Sequence, residues 1–198
     1  KIINNNKEVI IEDFQTALKN HENLLKEKFM TTCVPAIEKF TALHNAFLNN
    51  LILVYVPKNV EAKVPIEIIT KVNSKILFDH ILIIAEDNSK LTLVEDITSE
   101  NNEEAYVSKI VEIFAGDNAK IDYSNLQMLN KKTFNFTKKR ALTEKNSSIN
   151  WLDCCFGSQI TLSEVTTNLN GEGAQANNYG IFFGNADQQF DLVANSIH

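Results

Sequence analysis

The spacing of apolar residues changes from a helical period to a two-residue period near residue 50. Before that point they recur at intervals of three and four, which predicts helices over Glu12–Phe29 and Ala36–Leu48. Pro35 suits the first turn of the second helix. Beyond residue 50, runs rich in Val, Ile, Phe and Thr alternate with polar corners, which predicts β-structure. The pattern therefore predicts an N-terminal helical region at residues 1–50 and a β domain at residues 51–198.

The predicted strands of the β domain each end at a proline or at a corner rich in Asn, Asp, Ser or Gly. No helical stripe is visible after residue 50, and the acidic stretch Thr98–Ala105 is expected to form an exposed loop. The predicted strands are Leu51–Val56, Ile66–Val72, Ile76–Ala85, Leu91–Asp96, Tyr106–Ala115, Ile121–Leu129, Phe134–Leu142, Ile149–Phe156, Ile160–Leu169, Ala176–Phe183 and Gln189–His198.

Part of the β domain is repeated. Ile81–Leu93 and Val111–Tyr123 share a pattern of apolar strand, Asp-Asn corner and alternating strand. A weaker copy lies at Lys139–Trp151, where Asn146 takes the place of Asn118. Repeats of this length are typical of stacked units that bury their apolar faces against each other. A meander, a sandwich and a solenoid are all compatible with the pattern, and the repeat favours the solenoid.

Charge and cysteine content narrow the function classes. The formal net charge of -6 argues against a general nucleic-acid binder, which needs a basic face. The one basic cluster is interpreted as a solvated loop and strand edge, and it comprises Lys131, Lys132, Lys138, Lys139 and Arg140. The three cysteines have no disulfide spacing, which suits a reducing, cytoplasmic compartment. No apolar run approaches the roughly 20 residues of a membrane span, and no signal peptide is visible.

Catalytic and metal-binding motifs are not apparent. The chain lacks a phosphate-binding loop and a nucleophile elbow, and its histidines (His21, His44, His80 and His198) are far apart in sequence. Glu95–Asp96 and Glu103–Glu104 are interpreted as surface charges, and Gly157–Ser158 as a turn. We expect no catalytic residue and no metal ligand. A spatial pairing of Cys154 with His198 stays open.

Five residues remain that could carry chemistry, and each has a simpler structural interpretation. Cys154 and Cys155 are adjacent on a strand, so they should point to opposite faces. Arg140 is interpreted as a surface residue, Gln189 as part of a polar ladder between coils, and His198 as a strand end. The sequence therefore favours a scaffold or binding module over an enzyme.

The order of motifs resembles the SufB/SufD family of iron–sulfur cluster assembly scaffold proteins, and its N-terminal stretch is more similar to SufD. The segments that carry the resemblance are KFTALHNAF (39–47), LVYVPKNVEAKVPI (53–66), DHILIIAEDNSKLTLVED (79–96), VEIFAGDNAKIDYSNLQ (111–127), FNFTKKRALTEKNSSINW (134–151), GSQITLSEVTTNLNGEGAQANNYGIFF (157–183) and QQFDLVANSIH (188–198).

This resemblance implies a right-handed parallel β-helix after a short N-terminal helical region. It implies a non-catalytic scaffold that pairs with a SufB-like paralogue and a SufC-like ATPase, with an iron–sulfur cluster present only transiently in the assembled complex. Family members continue past the position of His198 with further coils and a helical region that make the partner contacts. We therefore expect a fragment whose β-helix core, residues 51–198, is truncated at its C-terminal end.

Two other functions compete with the scaffold. A carbohydrate-active β-helix enzyme would need a groove lined with paired carboxylates, and the alternating positions show no such stack. A self-associating solenoid module would pair its uncapped last strand with a second copy, giving a homodimer when the chain is alone.

Overall fold

The structure, a computed structural model, describes residues 1–33 and 38–198. The expectations for Pro35 and for the start of the second helix at Ala36 lie outside the described residues. The helix that follows, α3, runs over Lys39–Phe47. The N-terminal region before it contains two short strands, β1 (Ile2–Ile3) and β2 (Ile10–Asp13), and the helices α1 (Phe14–Asn20) and α2 (Glu22–Lys28).

The prediction of one continuous helix over Glu12–Phe29 is wrong, because the helix is interrupted at His21. The backbone of His21 is not helical (φ -133°, ψ 32°), and this residue ends α1 and precedes α2. Glu12 binds both residues at the break: the Asn20 amide donates to its Oε1 at 2.9 Å, and His21 Nε2 lies 3.7 Å from its Oε2. The start is also later than predicted, because Asp13 caps the helix by accepting from the Thr16 amide.

The β domain follows the predicted strands within a few residues at each end. Its strands are β3 (Asn50–Val56), β4 (Ile66–Val72), β5 (Ile76–Ala85), β6 (Lys90–Ser99), β7 (Ala105–Ala115), β8 (Lys120–Met128), β9 (Thr133–Thr143), β10 (Ser148–Cys155), β11 (Ile160–Leu169), β12 (Gln175–Phe182) and β13 (Gln189–Ile197). No helix occurs after Phe47 in the described part of the chain.

These strands form a parallel β-solenoid made of two sheets. Sheet A has the order β1-β4-β6-β8-β10-β12, and sheet B has the order β13-β11-β9-β7-β5-β3-β2. Each coil contributes one strand to each sheet and pairs in parallel with the next coil. The sequence repeat is thereby confirmed as two stacked coils, since Ile83 pairs with Ile113 and Lys90 with Lys120.

The space between the sheets, which we call the lumen, is filled mainly by apolar side chains. In-register rows run along it, such as Val54, Ile83, Ile113 and Ala141 in sheet B. Tyr123 and Trp151 pack edge to face in the lumen, with ring centroids 5.2 Å apart. The alternation in the sequence arises because one face of each strand is directed into this lumen.

The outer face of sheet B is covered by the N-terminal region. Ala17 of α1 and Leu25 of α2 pack on Leu53, Leu82 and other apolar side chains of that face. The strands β1 and β2 pair antiparallel with β4 and β3, and so they cover the edges of the first coil. The last coil is far more open: Tyr179 and Phe183 are 60% and 72% exposed.

One set of corners is built from stacked asparagines. Asn59, Asn88, Asn118 and Asn146 all have positive φ, between 54° and 63°. The amide of each residue donates to a carbonyl of the following corner, and the Asn88 side chain also donates to Asn59 Oδ1 at 2.9 Å. Asparagine tolerates this left-handed conformation better than most residues, which explains its recurrence.

None of the helices in residues 1–33 and 38–198 has the length and hydropathy of a membrane span.

Candidate functional site

Two clusters of buried side chains that contain ionisable groups lie on opposite sides of sheet B. The docking cluster, between sheet B and the N-terminal region, comprises Cys33, His44, His80, Ser108 and Glu112. The lumen ion cluster, between the two sheets, comprises Asp79, Glu95, Lys109, Tyr123, Lys139 and Asp153. Residues 79 and 80, like residues 108 and 109, fall in different clusters because successive side chains of a strand point to opposite faces.

Glu112 is the anchor of the docking cluster. One of its carboxylate oxygens, Oε1, accepts from the Thr32 amide, the Thr32 hydroxyl and the Cys33 amide at 2.9, 2.7 and 3.0 Å. The other, Oε2, accepts from the Met30 amide at 2.6 Å and lies 3.2 Å from His80 Nε2. This buried carboxylate therefore ties the segment after α2 to the middle of β7.

The environment keeps Glu112 ionised and His44 neutral. Burial raises the pKa of Glu112, but hydrogen bonds from His80, Thr32 and Cys33 outweigh it and hold that pKa below its ordinary value. Burial, followed by the nearby His80, lowers the pKa of His44 to about 3. His44 Nδ1 lies 2.9 Å from Ser108 Oγ. The cluster thus has the chemistry of a structural anchor for a carboxylate.

The lumen ion cluster centres on Lys109, whose side chain is 2% exposed. Its Nζ donates to Asp79 Oδ2 at 2.5 Å and forms an ion pair with Glu95 of the facing sheet. Asn50 donates to the second oxygen of Asp79 at 2.6 Å, and the Tyr123 hydroxyl donates to Glu95. A cation thus joins two carboxylates across the lumen.

The interpretation of Glu95 as a surface charge is wrong. Two-residue alternation puts residue 95 in phase with Leu91, Leu93 and Ile97, all of which are buried in the structure. The neighbouring Asp96 lies on the opposite face and is half-buried. The phase of the alternation was therefore the signal in the sequence that could have identified a lumen carboxylate.

Burial shapes the pKa values inside the lumen. It lowers the pKa of Lys109, and the attraction of Asp79 offsets only part of this effect. It raises the pKa of Tyr123 well above the ordinary value, with a further contribution from Asp153 and Asp79. Tyr123 is therefore protonated at neutral pH and can donate to Glu95.

The predicted basic surface cluster is only partly at the surface. Lys139, with 1% of its side chain exposed, forms an ion pair with Asp153 and lies 5.7 Å from the Tyr123 ring centroid. It points inward because its alternation phase matches that of the lumen row containing Val111. Lys131 and Lys132 are exposed, as predicted.

The remaining two basic residues lie on the outer face of sheet B. Arg140 donates to Glu164 Oε1 at 2.6 Å, and Lys138 pairs with Glu164 and with Glu38. Lys138 borders a groove of about 190 Å³ whose lining includes Phe136 and Glu164. The charges of Lys138 and Arg140 are balanced by carboxylates, so neither residue offers a free cationic surface there.

The other sequence candidates are not brought together. Cys154 lies on the outer face of sheet A and Cys155 in the lumen, as expected. Burial, and secondarily Asp153, raises the pKa of Cys155 to about 11, so its thiol is protonated at neutral pH. Gln189 is exposed and begins β13 of sheet B, and His198 follows that strand, whereas Cys154 belongs to sheet A.

The described residues do not form a metal centre. Among residues 1–33 and 38–198, no group of three or more His, Cys, Asp or Glu side chains is placed to hold a metal ion. Glu112 is instead enclosed by backbone amides and His80, and Lys109 is enclosed by Asp79 and Glu95. The two clusters are therefore suited to holding coils and helices in place.

Comparison with known proteins gives a consistent result. The family description "SUF system FeS cluster assembly, SufBD core domain" matches residues 68–198. The chain is 34% identical to the iron–sulfur cluster assembly protein SufD of Bacillus subtilis, over 97% of this chain and 45% of that protein. Iron–sulfur cluster assembly SufBD family proteins of Staphylococcus saprophyticus and Staphylococcus haemolyticus are each 31% identical, over 97% of this chain and 42% of theirs. The chain thus spans less than half the length of these relatives.

Proposed function

The chain belongs to the SufBD core family, and from that membership we propose that it forms part of a SufD-like scaffold subunit for iron–sulfur cluster assembly. The observation that supports this most strongly is the similarity to SufD over 97% of the chain. The parallel solenoid, with its long sheets and buried ionic contacts, suits a rigid support for other subunits.

Within this proposal, the complete protein pairs with a SufB-like paralogue and a SufC-like ATPase in the cytoplasm. The cluster is cargo of the assembled complex. The part of the protein described here performs no catalytic turnover, and its ionisable groups serve packing. Support comes from the docking and lumen ion clusters, where Glu112 and Lys109 are enclosed by their partners.

Co-expression of the full-length protein with SufB-like and SufC-like subunits tests the proposal. A tag on this protein should retain both subunits through size-exclusion chromatography, whereas the same tag on an unrelated β-solenoid of similar size should retain neither. Loss of both partners at micromolar concentrations and moderate salt would contradict the proposal.

Self-association of the isolated chain is a second candidate, favoured by its exposed last coil. Ile181 and Phe182 are more than half exposed in β12. Unpaired strand edges of this kind pair readily with another chain. Light scattering of the 198-residue chain across a concentration series should show a dimer, and a strict monomer would exclude this candidate.

A further inference from the structure

Charged residues occupy one row of the lumen where packing alone requires none. The row in sheet B contains Asn50, Asp79, Lys109 and Thr137 in direct register, beside a row that includes Ile81 and Val111. In sheet A, the in-register row of polar residues is Glu95, Asn125 and Asp153. Enclosing such charges costs several kcal/mol per ion before the ion pairs recover part of it, so their presence needs an explanation other than stability.

The apolar rows do not by themselves determine how far one coil is displaced against the next. A shift of two residues keeps every lumen side chain in the lumen, because side chains alternate with period two. Such a shift of β7 against β5 would set Ile83 opposite Val111, or Ile81 opposite Ile113, instead of the native partners. These alternatives remain apolar contacts of similar size.

The charged row distinguishes the native register from its neighbours. A two-residue shift in either direction places Asp79 opposite a valine, Val107 or Val111, and separates it from Lys109. Between β7 and β9, one of the two shifts places Lys139 opposite Lys109. Each alternative therefore leaves a buried charge unpaired or sets two like charges side by side, and breaking such a pair strongly destabilises a fold.

We propose that the lumen ion cluster sets the register in which successive coils stack. Lys109 is the central element, because it joins Asp79 of the preceding coil to Glu95 in the facing sheet of that same coil. A cation held from two directions fixes the displacement along the strand and the pairing of the two sheets together. Lys139 and Asp153 form an ion pair within the next coil, which joins its two sheets across the lumen but does not join two successive coils.

The asparagine corners are the competing explanation for register. Asn88 and Asn118 stack at the end of β5 and β7, opposite to the end where Asp79 and Lys109 lie. The test must therefore remove the lumen charges and leave the corners intact. The variant Asp79→Leu/Glu95→Leu/Lys109→Met/Tyr123→Phe does this without leaving an unpaired lumen charge or the Tyr123 hydroxyl.

Disulfide reporters on the outer face of sheet A reveal the register. Val94 and Ser124 are direct partners, so Val94→Cys/Ser124→Cys reports the native register. In a Cys154→Ser background, which removes the natural thiol opposite Leu126, Val94→Cys/Leu126→Cys and Val94→Cys/Asp122→Cys report shifts of two residues, because diagonal positions are too far apart to be bridged in the native register. Each chain is refolded from urea and then oxidised, and the cross-links are identified by peptide mass spectrometry.

We expect the apolar-lumen variant to fold and its shifted cross-links to increase about tenfold over those of the charged chain. The variant Ile81→Val/Val111→Ile is the matched control, because it exchanges two paired apolar residues of the lumen and leaves the charges unchanged. It should give only the native cross-link. If the apolar-lumen variant folds and forms only the native cross-link, the corners suffice and the proposal is overturned.

A milder variant keeps the proposal testable if the first variant does not fold. In Asp79→Asn/Glu95→Gln/Lys109→Met, the three charges joined at Lys109 are removed while the Tyr123 hydroxyl keeps an acceptor at position 95, and the same Val94 reporters apply. Shifted cross-links in this variant support the proposal. A folded variant with only the native cross-link contradicts it.

Discussion

Asn118 donates its side-chain amide to Oδ1 of Asn88 at 3.1 Å, and the two residues have nearly identical φ angles of 59° and 57°. The contact repeats one between Asn88 and Asn59. At these corners the asparagine both accepts a left-handed backbone and extends the ladder. Gly173 occupies the next such corner, with φ 76°, and supplies the conformation without the side chain.

Substitutions of Asn118 should separate these two requirements. Asn118→Gly keeps the backbone conformation and loses only the ladder, at a cost of about 1 kcal/mol in the free energy of unfolding. Asn118→Ala adds the strain of a left-handed alanine, roughly 1–2 kcal/mol. Alanine should therefore be less stable than glycine by urea denaturation, the reverse of their usual order in regular elements. Equal stability of the two variants would contradict the strain argument.

Glycines at tight corners should respond differently from a glycine in a strand. A Cβ at Gly157 would overlap the backbone of Leu129, and one at Gly171 would overlap the backbone of Lys145. Gly157→Ala and Gly171→Ala should each lower the free energy of unfolding by about 3 kcal/mol. Gly180→Ala is the matched control, since no atom lies within 4 Å of its added Cβ. Thermal unfolding should leave that control within a few degrees of the wild-type Tm.

Neutralising the buried anchor should loosen the N-terminal region. Glu112→Gln directs an amide N–H₂ at donors that now meet a carboxylate oxygen, so it should cost roughly 3 kcal/mol. Glu104→Gln, at an exposed position, is the control and should be neutral. Hydrogen exchange should show faster exchange at the Met30, Thr32 and Cys33 amides in the first variant. Unchanged protection there would exclude the anchor role.

Acid should also act through Glu112. Its pKa is lower in the folded chain than the ordinary 4.5, so the ionised carboxylate stabilises the fold above that value. This contribution is lost as the pH falls below 4.5 and through the folded-state pKa. Urea midpoints measured from pH 6 to pH 3 should therefore fall less steeply below pH 4.5 in Glu112→Gln than in the wild type.

His44 should give a separate pH dependence at higher pH. Because its pKa falls from 6.5 to about 3 on folding, the unfolded chain binds a proton below pH 6.5 that the folded chain does not. Stability should decline by up to about 1.4 kcal/mol per pH unit between pH 6 and pH 4.5. His80, Asp79, Glu112 and Lys109 influence this titration and remain in the variant His44→Gln, which should flatten the decline. An unchanged slope would contradict the assignment.

The indole of Trp151 offers a local test of the lumen. Its Nε1 donates to Thr167 Oγ1 at 3.0 Å inside the core. Thr167→Val leaves this donor unpaired and should cost about 1–3 kcal/mol. The adjacent Thr166 lies on the opposite face, and its hydroxyl makes only long side-chain contacts. Thr166→Val should therefore change the free energy of unfolding little. Unfolding followed by the fluorescence of Trp151 measures both, and equal losses would count against this hydrogen bond.

The strands and corners could be predicted from the sequence because their signals are local. Alternation of period two and the Asp-Asn corners repeat within each coil, and the structure confirms both at Asp87–Asn88 and Asp117–Asn118. The break at His21 could not be predicted in the same way. It depends on Glu12 binding both sides of the break, a contact that the helical periodicity does not encode.

The buried clusters escaped prediction for two different reasons. Glu95 and Lys139 have the correct phase for the lumen, but charged residues are so rarely buried that a surface position was the better expectation. Glu112 binds backbone amides about 80 residues earlier in the chain, so no local sequence pattern predicts these contacts. The family resemblance, in contrast, rests on the order of whole segments, and the match over residues 68–198 confirms it.

Because Glu112 binds residues far earlier in the sequence, its contacts also affect the order in which parts of the chain fold during synthesis. Its contacts with Met30, Thr32 and Cys33 join positions 79 to 82 residues apart, whereas adjacent coils join positions about 30 apart. At roughly 5–20 residues per second, the N-terminal helices wait on the order of 4–16 s on the ribosome before their anchor emerges. The strands β3 to β6 can assemble during that interval, so the helical region is made before these strands but is secured only after they have emerged.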